Sequence, residues 1–329
     1  MSALNSGATP RVAFVGLGVM GQRMLANMVA LGGFDPVVAW DPAFAACDAA
    51  RKIHPGIDIA ADPMAMIAAD ATDLVYIATP PDFHAEYAIA AAEAGKPVYC
   101  EKPLGTDVED SLNLVDKVEA LSAKTIVNFS LASAPAANAI ADALRDGSLG
   151  DVQSVDIHLH FSQWPRDWQA PAAWLSEREQ GGFVRETFSH YAYLTRRLFG
   201  EIELLSAITS YPDDDVSAET HAMAMMDCSG IPVTFNGGTG GLQSSAADRI
   251  EYTVWGSNQV LRLYDWNRLR SNDGSGWTEQ LQEITDARQE GYRLQLENAG
   301  RFYRGEPHTM PSFRDALAVQ ELVEDILSD

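Results

Sequence analysis

The feature that most constrains the fold is a glycine hexapeptide that directly follows a short apolar run near the start of the sequence. Arg11–Val15 (RVAFV) is predicted to be a buried strand, and the next six residues, GLGVMG, place glycines at 16, 18 and 21. Gly16 permits a tight turn, Gly18 lets another group approach the backbone, and Gly21 lets a helix pack close to the strand. The helical spacing of apolar residues that follows, ended by Gly32 and Gly33, completes a strand–turn–helix unit.

The turn between this strand and helix predicts a phosphate site. The first turn of a helix carries unsatisfied N–H groups and the positive end of the helix dipole, and both attract anions. A GxGxxG pattern between a strand and a helix is typical of dinucleotide-binding folds. We therefore expect the pyrophosphate of a dinucleotide to contact Gly16, Gly18, Val19, Met20 and Gly21.

The choice of dinucleotide depends on Asp41, which follows Gly21 by 20 residues and comes just after a second predicted strand at 37–40. A carboxylate at this place accepts hydrogen bonds from the adenosine ribose hydroxyls. It also repels a 2′-phosphate, and Pro42 rather than an arginine follows it. The sequence therefore favours NAD, and it leaves NADP open because Arg51 offers a guanidinium group further along the chain.

Strand and helix signals alternate through the first part of the chain. Apolar runs at 74–77, 98–100 and 125–129 predict strands, and an alanine-rich stretch at 83–94 predicts a helix between the first two. Thr106 and Glu109 have the spacing of a capping box for a further helix. This alternation predicts a parallel sheet with helices on both faces, an α/β Rossmann domain over residues 1–128.

The pattern changes after this point. Strand-like segments follow one another with few helices between them, at 153–161, 204–210, 221–227, 232–236, 250–255 and 259–263. A last helix is predicted after Ser312 and Asp315, which have capping spacing. We therefore expect residues 129–329 to form an α+β domain with a large, mostly antiparallel open sheet that binds the substrate and mediates oligomerisation.

Composition limits the partners and the location. The net charge of −23 opposes binding to nucleic acid or to anionic membranes, and no apolar run is long enough to span a membrane. Three widely separated cysteines and a polar start without an apolar signal core favour the cytoplasm. His158 and His160 share a strand face but have no evident third ligand, so no metal site is expected. Gly237-Gly238-Thr239-Gly240-Gly241 lacks the GK[ST] of a P-loop and predicts a flexible or a tightly approached strand connection.

Several motifs together resemble the Gfo/Idh/MocA family (glucose–fructose oxidoreductase, inositol dehydrogenase and rhizopine catabolism). They are GLGVMG, ATPPDFH at 78–84, AGKPVYCEKPLG at 94–105, GGFVRETFSH at 181–190 and the closing PSFRDALAVQELVEDIL. The resemblance covers nearly the whole chain. It implies an oxidoreductase that moves a hydride between a nicotinamide and a sugar, a polyol or a related small molecule, and that forms a homodimer or a homotetramer.

The resemblance also implies roles for individual residues. Lys102 is the lysine beside the nicotinamide and the reacting oxygen, and Glu101 lies beside the cofactor ribose. Thr79 and Pro80 contact the cofactor from a strand end, and His84 lies near the same loop. The family's Asp-x-x-x-His pair falls on Glu186 and His190.

These residue types suit carbinol oxidation. The cofactor carries the hydride chemistry, while the protein places the substrate and moves the proton. An imidazole titrates close to neutral pH, so His190 suits the proton transfer, and Glu186, four residues earlier, can orient it. Lys102 can hold the substrate oxygen and stabilise developing negative charge.

The chain departs from the family pattern in its candidate substrate region. Glu186 replaces an aspartate, Tyr193 stands where many members have another aspartate, and the segment 128–131 (NFSL) lacks an arginine. Three tryptophans precede the GGF motif and could line the substrate cleft or pack between domains. We therefore take Trp164, Trp168, Trp174 and Arg185 as candidate substrate contacts.

Three functional hypotheses remain at this point. The first is an NAD-dependent dehydrogenase of a sugar or polyol. The second is a reductase or dehydrogenase of a non-sugar substrate such as an imine, an enone or a dihydrodiol, which the missing polar positions favour. The third is a dinucleotide-binding sensor without catalysis, against which the retention of Lys102 and His190 argues. The sequence does not identify the substrate or the direction of the reaction.

Overall fold

The structure is a computed structural model that describes residues 9–170 and 172–328. The chain divides into two compact units. The first contains the residues up to Phe129 together with Tyr292–Leu317, and the second contains Ser130–Gly291 and the residues from Ala318 onward. None of the helices among the described residues is both long enough and apolar enough to cross a membrane.

The first unit is built on a six-stranded parallel sheet. Its strands are β1 (Arg11–Val15), β2 (Asp35–Trp40), β3 (Asp58–Ile59), β4 (Leu74–Ile77), β5 (Val98–Cys100) and β6 (Thr125–Val127). They run in the order β3-β2-β1-β4-β5-β6, with every neighbouring pair parallel. This order is that of dinucleotide-binding folds, in which ligands bind where the order reverses beside the first strand.

Helices connect these strands, because a parallel pair needs a crossover. They are α1 (Val19–Leu31), α2 (Phe44–Ile53), α3 (Pro63–Ala68), α4 (His84–Glu93) and α5 (Val108–Ala120). The capping box predicted for Thr106 and Glu109 is wrong. Asp107 caps α5 by accepting the N–H of Asp110 at 2.9 Å, whereas the Thr106 hydroxyl donates to Asp82.

The second unit contains an eight-stranded sheet. Its strands are β7 (Val152–Phe161), β8 (Ile202–Ser210), β9 (His221–Cys228), β10 (Ile231–Thr239), β11 (Arg249–Gly256), β12 (Val260–Tyr264), β13 (Arg268–Asn272) and β14 (Trp277–Gln280). The order is β14-β13-β12-β11-β7-β10-β9-β8, and only β7 and β10 pair in parallel within it. The predicted fold class, a Rossmann α/β domain followed by an α+β domain with a mostly antiparallel sheet, is confirmed.

One face of this sheet is covered by a helical segment that begins with a π-helical turn, Val184–Phe188, and continues as α7 (Ser189–Phe199). Phe188 stacks on Phe235 of β10 at 4.2 Å, and Tyr191 stacks on Tyr252 of β11 at 6.0 Å. These aromatic contacts fix the segment that carries Glu186 and His190 against the sheet. The unit also contains α6 (Pro135–Arg145).

The chain ends in two helices, α8 (Ala287–Arg304) and α9 (Phe313–Leu327). The predicted cap of the last helix is confirmed, because Ser312 and Asp315 exchange hydrogen bonds between each side chain and the other's backbone N–H. Most of α8 belongs to the first unit, where its side chains reach the buried end of β6.

Candidate functional site

The glycine turn lies between β1 and α1, and its three glycines differ in what surrounds them. Gly16 has a φ of +95°, and a Cβ there would lie 2.6 Å from the carbonyl carbon of Ala78. A Cβ on Gly21 would lie 2.2 Å from the Gly16 oxygen, whereas one on Gly18 would have no described atom within 4 Å apart from its neighbours in the chain. Packing within the protein therefore requires Gly16 and Gly21, and the open space at Gly18 fits a pyrophosphate.

Helix α1 offers its N-terminal end to this space. It begins at Val19 after Gly18, and no described side chain caps it. The N–H groups of its first turn, which include Val19 and Met20, are therefore available to an anion, and the dipole of this 13-residue helix adds to the attraction. The arrangement has what a dinucleotide pyrophosphate needs.

Asp41 lies at the end of β2 beside this turn. Its Oδ2 accepts the Leu17 N–H at 2.7 Å, and its Oδ1 accepts the Ala43 N–H at 2.8 Å. Each carboxylate oxygen can accept about two hydrogen bonds, so ribose hydroxyls can bind as well. The carboxylate that was predicted to select NAD is thus held in place by the glycine turn itself.

His84 links the loops that follow β4 and β5. Its side chain is buried, with Nε2 at 2.9 Å from the Thr79 carbonyl oxygen and Nδ1 at 2.9 Å from that of Pro103. Burial lowers the pKa of His84. The contacts make His84 a brace between the Thr79–Pro80 turn and the Lys102–Pro103 turn, both of which were predicted to contact the cofactor.

Glu101 is buried in a polar network inside the first unit. Its Oε1 accepts hydrogen bonds from the Tyr76 hydroxyl and from Asn128 Nδ2. Asn128 Oδ1 in turn accepts from the Tyr99 hydroxyl at 2.6 Å and from Gln295 Nε2. Such a network fixes the backbone at the end of β5.

Lys102 follows Glu101 directly, at the point where β5 has ended and ligands bind in sheets of this kind. Its side chain is half-buried. The backbone of Lys102 is held on both sides. Glu101 before it belongs to the buried polar network, and Pro103 after it contacts His84.

In the second unit, Glu186 and His190 lie on the helical segment that starts at Val184. Glu186 Oε1 accepts a hydrogen bond from Gln169 Nε2 at 3.1 Å and lies 4.0 Å from Arg166 Nη2. His190 is 8% exposed, and its Nδ1 lies 3.4 Å from the Ser130 hydroxyl. Residues 184–188 form a π-helical turn. Such turns are rare in proteins, and those that occur are often found at functional sites.

Arg166 and Trp266 belong to the same group of side chains, although no sequence motif points to either residue. The Arg166 guanidinium lies 4.9 Å from the ring centre of Trp168, 5.4 Å from that of Trp164 and 5.8 Å from that of Trp266. The Trp266 ring meets His190 edge-on at 5.6 Å. Trp266 has a φ of +69°, a backbone conformation that large side chains rarely adopt.

The four candidate substrate contacts differ in their surroundings, although Trp164 and Trp168 both lie beside Arg166. Trp164 donates its indole N–H to the Leu175 carbonyl, and Trp168 is 47% exposed. Trp174 lies in a short 3₁₀ turn, Ala173–Ser176. Arg185 forms a bidentate ion pair with Glu324, both distances being 2.7 Å, and also donates to two backbone carbonyls. Among the described residues, no group of three or more His, Cys, Asp and Glu side chains could hold a metal ion.

Comparison with known proteins places the sequence in one family over both units. Residues 10–129 match the family model described as "Oxidoreductase family, NAD-binding Rossmann fold", and residues 137–262 match the one described as "GFO/IDH/MocA C-terminal domain". An oxidoreductase from Agrobacterium radiobacter, solved in complex with NAD+, L-tartaric acid and magnesium, has the same fold. It superposes with a TM-score of 0.83 at 18% identity over 98% of this chain and 97% of that one.

Two curated relatives match part of the chain. An inositol 2-dehydrogenase from Rhodococcus erythropolis is 38% identical over 117 residues, 35% of this chain and 34% of that protein. A levoglucosan dehydrogenase from Pseudarthrobacter phenanthrenivorans is 32% identical over 139 residues, 42% of this chain and 35% of that protein. The matched segments thus span about a third of the length of these relatives.

Proposed function

Because the chain belongs to the Gfo/Idh/MocA oxidoreductase family, we propose that it is an NAD-dependent dehydrogenase of a sugar, a polyol or a related hydroxyl compound. The observation that carries this proposal is the glycine turn, which is closed by packing at Gly16 and Gly21 and open at Gly18, with Asp41 fixed beside it. The names of the two relatives, an inositol and a levoglucosan dehydrogenase, support the class of substrate.

The residues of the turn bind the cofactor in this proposal. The backbone of Gly16, Gly18, Val19, Met20 and Gly21 holds the pyrophosphate, and Asp41 accepts the ribose hydroxyls. Thr79 and Pro80 follow β4 and Glu101 follows β5, and His84 links the two loops through the carbonyl groups of Thr79 and Pro103. When bound, NAD accepts the hydride, that is, the hydrogen of the carbinol carbon with its electron pair.

Lys102 and His190 act on the substrate hydroxyl. Lys102 donates a hydrogen bond to the oxygen and stabilises its negative charge, while His190 takes the hydroxyl proton. Glu186 stabilises the protonated imidazole, as a carboxylate does in other carboxylate–histidine pairs. Gln169 donates a hydrogen bond to the Glu186 carboxylate, and the Arg166 guanidinium lies 4.0 Å from it.

The test is turnover of NAD with a panel of sugars and polyols by wild type and by Lys102→Ala and His190→Asn. We expect each variant to lose on the order of 100-fold or more in kcat, since general acid–base catalysis contributes about that much. Binding of NAD, measured by calorimetry, should persist. Lys52→Ala, which changes an exposed lysine on α2, is the matched control and should keep full activity.

Three results would contradict the proposal. One is folded wild type that binds neither NAD nor NADP. Another is wild type that binds NAD but turns over no sugar or polyol. Such a protein would either reduce imines or enones instead, or turn over no substrate at all. The third is full activity in both active-site variants.

We also propose that the protein acts in the cytoplasm as a homodimer or homotetramer, without nucleic acid or membrane partners. The charge of −23 opposes contact with nucleic acid and anionic membranes. Assembly is supported by exposed apolar side chains on β8 and β9, namely Leu205, Ile208, Met223 and Met225. Light scattering measures the assembly directly, and a monomer at micromolar concentration would contradict it.

A further inference from the structure

Glu219 is a charged residue inside the second unit that no part of the proposed reaction uses. It is 2% exposed and lies between β8 and β9. The segment that carries it pairs with the chain ahead of the catalytic helix. Ala218 N–H donates to the Ser176 carbonyl at 2.8 Å, and Arg178 N–H donates to that of Val216 at 2.7 Å. The position of the Glu219 backbone is therefore fixed by strand-like pairing.

The Glu219 carboxyl group meets the start of the helical segment that carries Glu186 and His190. Its Oε1 accepts the N–H of Val184, the first residue of that segment, at 2.8 Å. No local side chain caps this end of the segment among the described residues. A hydrogen bond to a first-turn N–H and a negative charge near a helix start both stabilise the start of a helix.

Gly182 leaves room for the carboxyl group, and Gly181 beside it lets the chain pack against the backbone of Leu175. Gly182 has a φ of +96°, and a Cβ there would lie 2.1 Å from Glu219 Oε2. A Cβ on Gly181 would lie 2.5 Å from the Leu175 carbonyl. Glu219 Oε2 is buried and has no hydrogen-bond partner among the described residues. The Glu219 carboxyl group thus lies at the first turn of the helical segment that carries Glu186 and His190.

The charges around Glu219 come from four elements. Arg185, on the helical segment, interacts with it and is itself bound by Glu324 of α9. Tyr211, which follows β8, faces it, and Arg178 lies 3.8 Å from the centre of the Tyr211 ring. Burial raises the pKa of Glu219 to about 7, and the bond from Val184 and the charge of Arg185 oppose that rise only in part.

We propose that Glu219 is a positioning residue for Glu186 and His190: it holds the first turn of their helix, and the gain or loss of its proton changes the rate of the reaction. The ionised carboxylate accepts the Val184 N–H as a charge-assisted hydrogen bond, which is roughly twice as strong as a neutral one. Deprotonation therefore tightens the turn that presents both catalytic side chains. The statement about rate rests on the proposed function.

The effect on global stability has the opposite sign. Because the pKa of Glu219 is raised on folding, the carboxyl group contributes stability that is fully present at low pH. That stability is lost as the pH rises through about 7. The free energy of unfolding should thus fall between about pH 4.5, the ordinary value for a glutamate, and about 7, whereas activity per folded molecule should rise through about 7.

The experiment compares wild type with Glu219→Gln, Glu219→Ala and the matched control Glu177→Gln, an exposed glutamate in the neighbouring strand-like segment. Glu219→Gln keeps an acceptor for Val184 but cannot ionise. We expect the ratio of wild-type to Glu219→Gln kcat to rise through pH 7. We also expect the pH dependence of unfolding over this range to become shallower in Glu219→Gln. Glu219→Ala should lose about 10- to 100-fold in kcat, since small misplacements cost that much, with the NAD KM unchanged.

A second readout does not depend on turnover. Hydrogen exchange of the peptide that covers residues 183–190 should be faster in Glu219→Ala than in Glu177→Gln. The proposal is overturned if both Glu219 variants match wild type in exchange, unfolding and the pH profile of kcat. If wild type oxidises no sugar or polyol, the proposed function fails, and exchange still decides whether Glu219 holds the turn. If Glu219→Ala does not fold, Glu219→Gln decides through its pH profile.

Discussion

At the scale of single residues, the proposed function makes cofactor choice depend on Asp41. Its carboxylate binds the N–H groups of Leu17 and Ala43, so the negative charge cannot swing away from the ribose position. A 2′-phosphate there would meet a fixed like charge, which costs several kcal/mol. The chain should therefore use NADP poorly.

We expect Asp41→Ser to weaken NAD and to relax this discrimination. The change removes both the ribose acceptor and the charge, so kcat/KM with NAD should fall and the ratio of NADP to NAD should rise by at least about 10-fold. Steady-state kinetics with both cofactors measure the ratio. Asp70→Ser, at an exposed position in the turn that follows α3, should leave it unchanged. An unaltered ratio in Asp41→Ser would show that another residue selects the cofactor.

Residues fall into two groups according to whether the sequence could predict their place. The glycine turn and Asp41 follow from local spacing, because a strand, a turn and a helix impose fixed distances along the chain. Glu219, Trp266 and Gln295 carry no such signal, since each reaches its partner from more than 30 residues away. Arg166 lies in the sequence between Trp164 and Trp168, so the sequence does indicate that it is near them.

At the scale of elements, Gly237 of β10 explains how the chain just before the helical segment of Glu186 and His190 packs on the sheet. A Cβ on Gly237 would lie 2.4 Å from the Phe183 ring and 2.7 Å from the Phe235 ring. Both rings are buried in an aromatic cluster with Phe161 and Trp164. Within this glycine run, Gly237 and Gly238 lie in β10 and are tightly approached, whereas Gly240 and Gly241 follow the strand and would have space for a Cβ among the described residues.

Gly237→Ala should destabilise the second unit by ~1–3 kcal/mol, the usual cost of inserting a methyl group into a packed core. Because Phe183 directly precedes the turn that carries Glu186, kcat should fall as well. Chemical denaturation and steady-state kinetics measure the two effects. Gly291→Ala is the contrasting variant, since a Cβ there has ordinary space, 3.8 Å from Asn267 Oδ1, within α8. Equal stability of the two variants would contradict this packing argument.

The elements themselves were largely predictable, while their order in the sheets was not. Period-two and helical patterns identify most strands and helices locally, and short βα loops indicate parallel pairing. The parallel contact between β7 and β10 within an otherwise antiparallel sheet has no local signal. Nor does the return of α8 to the first unit, which depends on the buried contact between Gln295 and Asn128.

At the scale of the whole molecule, one face of the large sheet is apolar and exposed at its β8–β9 edge. Leu205, Ile208, Met223 and Met225 are 58%, 63%, 49% and 60% exposed, and Ile208 pairs directly with Met223 across the two strands. A contiguous apolar patch of this kind marks an interaction surface. In the proposed homo-oligomer, this face is the part of each subunit that a second copy covers.

Association through this face has to overcome the charge of −23 that each copy carries. The repulsion acts over the Debye length, which shrinks from roughly 30 Å at about 0.01 M salt to about 8 Å at about 0.15 M. Apolar burial is not screened, so the two contributions can be separated.

We expect light scattering to show more dissociation at low salt than at high salt. Ile208→Asp should favour the monomer at both, because it places a charge in the apolar face. Leu242→Asp, at an exposed leucine outside the β8–β9 edge, should assemble like wild type. Assembly of Ile208→Asp equal to that of wild type would show that the subunits meet elsewhere.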